Sequence, residues 1–289
     1  MKPAPFAFCA PDGLAGVLDA LAEHGEDGRI LAGGQSLVPL MNLRLVRPEM
    51  LISINRCDDL DYLRLEGGQL ICGARVRQAT AEESDLVQRE CPLLAMALPY
   101  VGGQANRNRG TVCGSLAHGD PLAELAAAAL ALDGEMHIAA KGGRRSVPAA
   151  EFFLDGLSTA VGPGEMLEAV AFQRQGANEC SAFLEMGNRK HGFAVAAVAV
   201  RLGINGERCE FARIAVLGGG EAARRIGEAE DILAGGNVDG TAIEAAVAAA
   251  CAAVEPPGDL HADAEFRRHV LGTLLGPALR QAGHRRVPK

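Results

Sequence analysis

The sequence predicts a multi-domain α+β chain: an N-terminal region of two α/β subdomains over residues 1–176, split near residue 57, followed by a C-terminal domain of antiparallel sheet and helices over 177–289. Three observations carry this expectation. With 289 residues and 48% hydrophobic content, the chain has enough apolar side chain for more than one core of the usual ~100–200 residues. Short apolar runs alternate with segments of helical period in the first part. Beyond the polar interruption Arg174-Gln175-Gly176-Ala177-Asn178, two long β-prone runs flank an Asn-Gly turn and three helical patterns follow.

The elements follow in order. After Pro11, Asp12 is placed to cap a helix whose apolar residues Leu14, Val17, Leu18 and Leu21 fall at i, i+3, i+4 and i+7. Gly25 and Gly28 end it, and Arg29-Ile30-Leu31-Ala32 reads as a short buried strand running into Gly33-Gly34-Gln35-Ser36. Apolar runs at 51–55 and 69–72, set off by Asp58-Asp59 and Gly67-Gly68, read as strands joined by turns. Residues 78–99 are helical in pattern, punctuated by Pro92. A Gly- and Asn-rich stretch, 102–110, leads into Thr111-Val112-Cys113-Gly114-Ser115, read as a second loop. Residues 121–132 then form an Ala/Leu helix with Pro near its first turn, followed by a hairpin through 135–139 and 144–147. Past the interruption, 193–202 and 209–217 read as strands joined at Asn205-Gly206, and 221–234, 241–254 and 263–282 as helices.

Charge and cysteine usage narrow the function classes. The 28 basic and 36 acidic residues leave a formal charge of −8, with no Lys/Arg stripe to track a nucleic-acid backbone, which argues against that partner. Met1-Lys2-Pro3-Ala4-Pro5-Phe6 lacks the apolar stretch of a signal peptide, and no run of about 18 apolar residues suggests a membrane span, so the expected location is cytoplasmic. The eight cysteines stand singly, no two closer than 15 positions, so iron–sulfur or zinc ligands are expected on another chain rather than here.

Two glycine-bearing loops, 33–36 and 110–115, carry the chemistry. Each can turn several backbone N–H groups toward an anion with no Cβ in the way, and Ser36, Thr111 and Ser115 add hydroxyls. A pair of such loops suits a diphosphate; either one alone is more often an ordinary turn. No Rossmann Gly-x-Gly-x-x-Gly or Walker loop is present.

Ala32-Gly33-Gly34-Gln35-Ser36-Leu37 with Arg44-Leu45-Val46-Arg47-Pro48, and the run from Asn106 through Gly110-Thr111-Val112-Cys113-Gly114-Ser115-Leu116-Ala117-His118-Gly119-Asp120-Pro121 to Leu125, resemble the FAD-binding medium subunits of the molybdenum hydroxylases. That family includes the medium subunit of carbon monoxide dehydrogenase and the flavin domain of xanthine dehydrogenase, and the resemblance runs from about residue 3 to 282. It implies a two-subdomain FAD-binding fold of the PCMH type and a non-covalent FAD whose diphosphate lies between the loops. The implied contacts are Leu31, Ala32, Gly33, Gly34, Gln35, Ser36 and Leu37 from the first loop, and Thr111, Val112, Cys113, Gly114 and Ser115 from the second. Glu124 stands where relatives usually carry Asp near the ribityl–diphosphate part, and Cys113 where they commonly have a second Gly.

His118 matches a histidine common in the family and reads either as a cofactor contact or as a hydrogen-bonded surface residue. Phe193, in Gly187-Asn188-Arg189-Lys190-His191-Gly192-Phe193-Ala194, stands where relatives place an aromatic against the isoalloxazine; its other reading is a core Phe opening a strand. Leu167 matches a position whose backbone faces the flavin ring. Arg107, Arg109, Arg189 and Lys190 read as cations that steer anionic groups, as partners in interface salt bridges, or, the commoner outcome, as solvated surface charges. The resemblance implies an electron relay: an iron–sulfur small subunit with 2Fe-2S clusters and a molybdopterin large subunit as partners, in a heterotrimer or a dimer of heterotrimers. A free-standing flavin oxidoreductase and a scaffold without flavin are the alternatives.

Overall fold

The structure is a computed structural model and describes residues 2–189 and 192–284. Its first layer is a parallel three-stranded sheet in which Met50–Ser53 lies between Ala7–Cys9 and Gly28–Leu31. Helix Leu14–His24 covers it with Leu14, Val17 and Leu21 buried. Asp12 does not cap this helix. The N-cap position is Gly13, and the donor Leu14 N–H is taken by Asp59 Oδ2 at 2.9 Å, 45 residues away. A long-range carboxylate thus does the work a local one was expected to do.

The second layer is an antiparallel five-stranded sheet in the order Leu63–Glu66, Gln69–Gly73, Glu165–Gln173, Glu135–Ala140, Gly143–Pro148. The helical region 78–99 is three short helices, Gln78–Glu82, Asp85–Glu90 and Pro92–Ala97. Ser84 restarts the chain by accepting the Val87 N–H, and Pro92 sits in the first turn of the third helix, where its missing N–H costs nothing. The Ala/Leu helix runs Glu124–Ala131, three residues later than its pattern suggested, and every one of its residues is buried. It packs against strands Ala194–Asn205 and Arg208–Leu217 and against helices Pro92–Ala97 and Val112–His118, so small side chains are needed on its faces.

The third layer is antiparallel: Glu179–Gly187, Ala194–Asn205, Arg208–Leu217 and the short Arg224–Arg225. The hairpin turns at Asn205-Gly206, where Gly206 takes φ +66°. Helices Gly227–Leu233, Gly240–Ala253 and Ala264–His284 cover one face and form a second core. The expected helix at 221–234 begins only at Gly227, because Arg224 and Arg225 add an edge strand. The other face of this sheet, through Phe183, Ala197, Ala199, Ala215 and Leu217, packs into the first core. An ion cluster closes the junction: Asp133, at φ +45° just past the Ala/Leu helix, accepts from Arg201 (3.4 Å), Arg213 (3.0 Å) and Arg225 (2.9 Å). No helix among the described residues is long and apolar enough to cross a membrane.

Candidate functional site

The first loop leaves the strand Gly28–Leu31 and turns at Gly34, whose φ of +73° favours a residue without Cβ. Ser36 then opens helix Leu37–Asn42, with the Val38 N–H donating to Gly34 O and the Leu40 N–H to Ser36 O. Gln35 is exposed and folds its amide back onto Gly33 O at 3.1 Å.

The second loop is shorter than the sequence suggested. Thr111 is the N-cap of helix Val112–His118, its Oγ1 accepting the Gly114 N–H at 3.0 Å. Residues 112–115 are therefore helical. The Val112 N–H donates to Val76 O, and the Cys113 thiol points into the core toward Cys72 O at 3.4 Å. Neither side chain reaches the open face, so the Cys113 thiol takes up no room there. Gly114 and Ser115 are half-buried and face outward from the helix start.

The two loops touch through their glycines. A Cβ on Gly33 would lie 2.2 Å from Arg109 O and 2.6 Å from Gly110 Cα, and one on Gly114 would lie 2.6 Å from Thr111 Oγ1 and 3.9 Å from Ala32 Cβ. Two residues that the motif reading passed over tie the loops together. Asn55 Nδ2 donates to Ala32 O at 3.0 Å, and the Arg77 guanidinium donates both to Asn55 Oδ1 and to Arg109 O. Gln78 adds its backbone N–H to Gly110 O at 2.9 Å. Burial, then the neighbouring Arg109 and Arg75 cations, hold the Arg77 pKa below its ordinary value. Such crowded positive charge at a cradle without side chains fits an anionic diphosphate. Asn55 carried no signal beyond ending a strand, and Arg77 none.

The remaining candidates are distributed around this cradle. His118 is half-buried at the far end of its helix, about 9 Å from the loop at the helical rise. Leu167 is buried at a β-bulge: it pairs with Ile138 while Ala169 pairs with His137, leaving Glu168 between them to bind Arg144 at 2.7 Å. Phe193 is 68% exposed, so it is not a core residue opening a strand; the strand begins one residue later at Ala194. Glu124 is buried at the start of its helix, and burial, with a contribution from Asp120, pushes its carboxyl up to about 7.

Arg107 does not steer anions. It is buried and fixed to Glu82 at 2.6 Å and to the carbonyls of Val101 and Gly102. Arg109 and Arg189 are exposed, while Lys190 lies outside the described residues.

Comparison with known proteins follows the same lines. Residues 4–172 match the FAD binding domain in molybdopterin dehydrogenase, and residues 181–282 the CO dehydrogenase flavoprotein C-terminal domain. The chain is 37% identical over 290 residues to the 6-hydroxypseudooxynicotine dehydrogenase complex subunit alpha of Paenarthrobacter nicotinovorans, covering 100% of this chain and 98% of that one. Carbon monoxide dehydrogenase from Hydrogenophaga pseudoflava contains a chain of the same fold, with TM-score 0.95, 34% identity and 98% coverage of both chains. Quinoline 2-oxidoreductase from Pseudomonas putida 86 contains another, with TM-score 0.94, 33% identity and complete coverage.

Proposed function

The chain belongs to the family of FAD-binding medium subunits of molybdenum hydroxylases, and from that premise we propose that its two touching loops hold the FAD diphosphate without a covalent link. The observation that carries this reading is the contact of Gly33 with Arg109 and Gly110, cross-braced by Asn55 and Arg77. In this reading the N–H groups of 32–36 and of Cys113 face the phosphates, and Ser36 and Ser115 contribute hydroxyl donors. Cys113 contributes backbone only, and Val112 supports the loop from behind. Leu31 and Leu37 frame the first loop. Leu167 and the exposed Phe193 lie against the isoalloxazine from opposite domains, and His118 and Glu124 line the side between loop and ring.

The bound flavin supplies electron transfer, and this chain's residues supply its position and electrostatic surroundings. The subunit is a relay of an oxidoreductase complex with large and small partner subunits. We assign the small partner the 2Fe-2S clusters and the large one molybdopterin, in a heterotrimer or a dimer of heterotrimers located in the cytoplasm. The proposed domain division, 1–176 with a split near 57 and then 177–289, accords with the change from parallel to antiparallel pairing and with the separate second core. The test is direct. Purified chain should contain one FAD, and heating should release it into the supernatant; flavin that stays with the precipitated chain, or FMN in its place, counts against the reading.

A further inference from the structure

Strand Glu179–Gly187 alternates its side chains between the two cores. Ala182 and Leu184 face the core under the C-terminal helices, whereas Phe183 joins the N-terminal core and stacks on Tyr100 with ring centroids 5.3 Å apart. Glu185, two residues on, shares the face of Phe183, and its cross-strand partner Ala197 is itself part of the N-terminal core. An acid therefore points from the second sheet into the junction between the domains.

Among the described residues, three buried side-chain polar atoms lack a hydrogen-bond partner: Glu90 Oε2, Arg267 Nε and Glu185 Oε2. The first two have charged neighbours that account for them. Glu90 Oε2 lies 2.5 Å from the Arg174 guanidinium, and Arg267 directs its other two nitrogens to Val195 O and Asp259 Oδ2. Glu185 Oε2 has no such relief. Helix Pro92–Ala97, which packs on the same strand, carries no ionisable residue. A buried oxygen of this kind is costly to leave unmatched, so its retention points to a donor that arrives from outside the chain.

The carboxyl lies beside the segment that carries the exposed Phe193. Register shifts where the strand ends: Met186 pairs with Ala196, but Gly187 pairs with Ala194. A Cβ built on Gly187 would lie 4.0 Å from Glu185 Oε1 and 3.3 Å from the carbonyl of Phe193, so the acid and the Phe193 backbone flank the same point. We propose that Glu185 is a cofactor-binding residue whose Oε2 accepts a hydrogen bond from the isoalloxazine–ribityl half of FAD, either from the ring N3–H or from a ribityl hydroxyl. This rests on the flavin reading above. The glycine loops grip the diphosphate, while Leu167 and Phe193 offer the ring apolar contact, which has no preferred direction. Glu185 adds a directional contact, and a carboxyl keeps an accepting oxygen whether or not it carries a proton.

The experiment uses the full chain stripped of flavin, with FAD and ADP titrated separately by calorimetry, because ADP carries the diphosphate and lacks the ring and ribityl chain. Glu185→Leu, which fills similar space without an acceptor, should weaken FAD about tenfold and leave ADP affinity unchanged. Glu185→Gln keeps an accepting oxygen and should bind FAD within about threefold of wild type. A Leu variant that binds FAD as tightly as wild type overturns the proposal, since Oε2 then has no flavin partner. A parallel loss of FAD and ADP in both variants overturns it too, because the residue then acts on the fold rather than on the ring half of the cofactor. Wild-type chain that binds no FAD overturns the flavin reading instead.

Discussion

Gly33 shows how one hydrogen atom in place of a methyl group holds the site together. Its position was picked out because backbone near a phosphate must be bare, yet the closest neighbour it makes room for is the other loop. Gly33→Ala should therefore separate the loops and weaken FAD binding at least about tenfold, or ~1.4 kcal/mol, in a flavin-fluorescence titration. Gly142→Ala, where a Cβ meets nothing within 4 Å, should leave affinity unchanged. Equal affinity for both variants contradicts the loop assignment. Gly34→Val acts differently, by forcing a branched side chain into φ +73° at a cost of about 1–2 kcal/mol. Arg77→Ala removes the brace to Arg109 O and a nearby cation together, so its loss of FAD affinity relative to wild type should be larger at low ionic strength, where the missing cation would be screened least. Neither Asn55 nor Arg77 was legible beforehand, since their partners are carbonyls of distant loops, and any carbonyl looks alike in a sequence.

Helix starts repeat that lesson among the secondary-structure elements. The periodic faces at 14–21 and the alanines at 126–131 marked helices correctly, whereas the caps depended on partners far along the chain, as with Asp59 on Leu14. Thr111-Val112-Cys113-Gly114-Ser115 looked like a loop because glycine discourages helix, but tertiary contacts on the buried Val112, Cys113 and Leu116 outweigh that weak propensity of about 1 kcal/mol. The Ala/Leu helix ends in the ion cluster around Asp133, where Arg201 is buried and Arg213 and Asp133 are about two-thirds buried. Asp133→Ala leaves Arg213 without a carboxylate, while Arg201 keeps Glu179 and Arg225 keeps Glu230; discounted for partial exposure, it should cost about 1–3 kcal/mol in urea unfolding. The loss should be smaller at high salt, where like-charge repulsion is screened. A variant as stable as wild type would mean that apolar packing alone closes the junction.

The whole molecule is a relay whose substrate chemistry resides elsewhere. Highly purified single chain should not oxidise heterocycles, purines or aldehydes at ordinary enzyme rates of about 1–1000 per second. Together with its iron–sulfur and molybdopterin partners, it should show substrate-dependent bleaching of flavin absorbance. Turnover by the metal-free single chain, or a complex that reduces its clusters and leaves the flavin oxidised, counts against that arrangement. Its two cores also explain why the domains act as one body: the second sheet buries Phe183, Ala197 and Leu217 in the first core rather than presenting them to solvent.

The sequence by itself determined the architecture, because apolar period and turn residues are local patterns that survive without knowledge of partners, and the cofactor class through the resemblance of its two loop motifs to a known family. It also marked Gly33, Gly34, Gly114 and Glu124 as residues to examine. Only the tertiary structure decided why the glycines are bare, which braces join the loops, and that Phe193 stands exposed. Those facts depend on distances between residues 22 to 76 positions or more apart, as between Asn55 and Arg77 or Gly33 and Arg109. Chain entropy leaves such distances undetermined until the cores close.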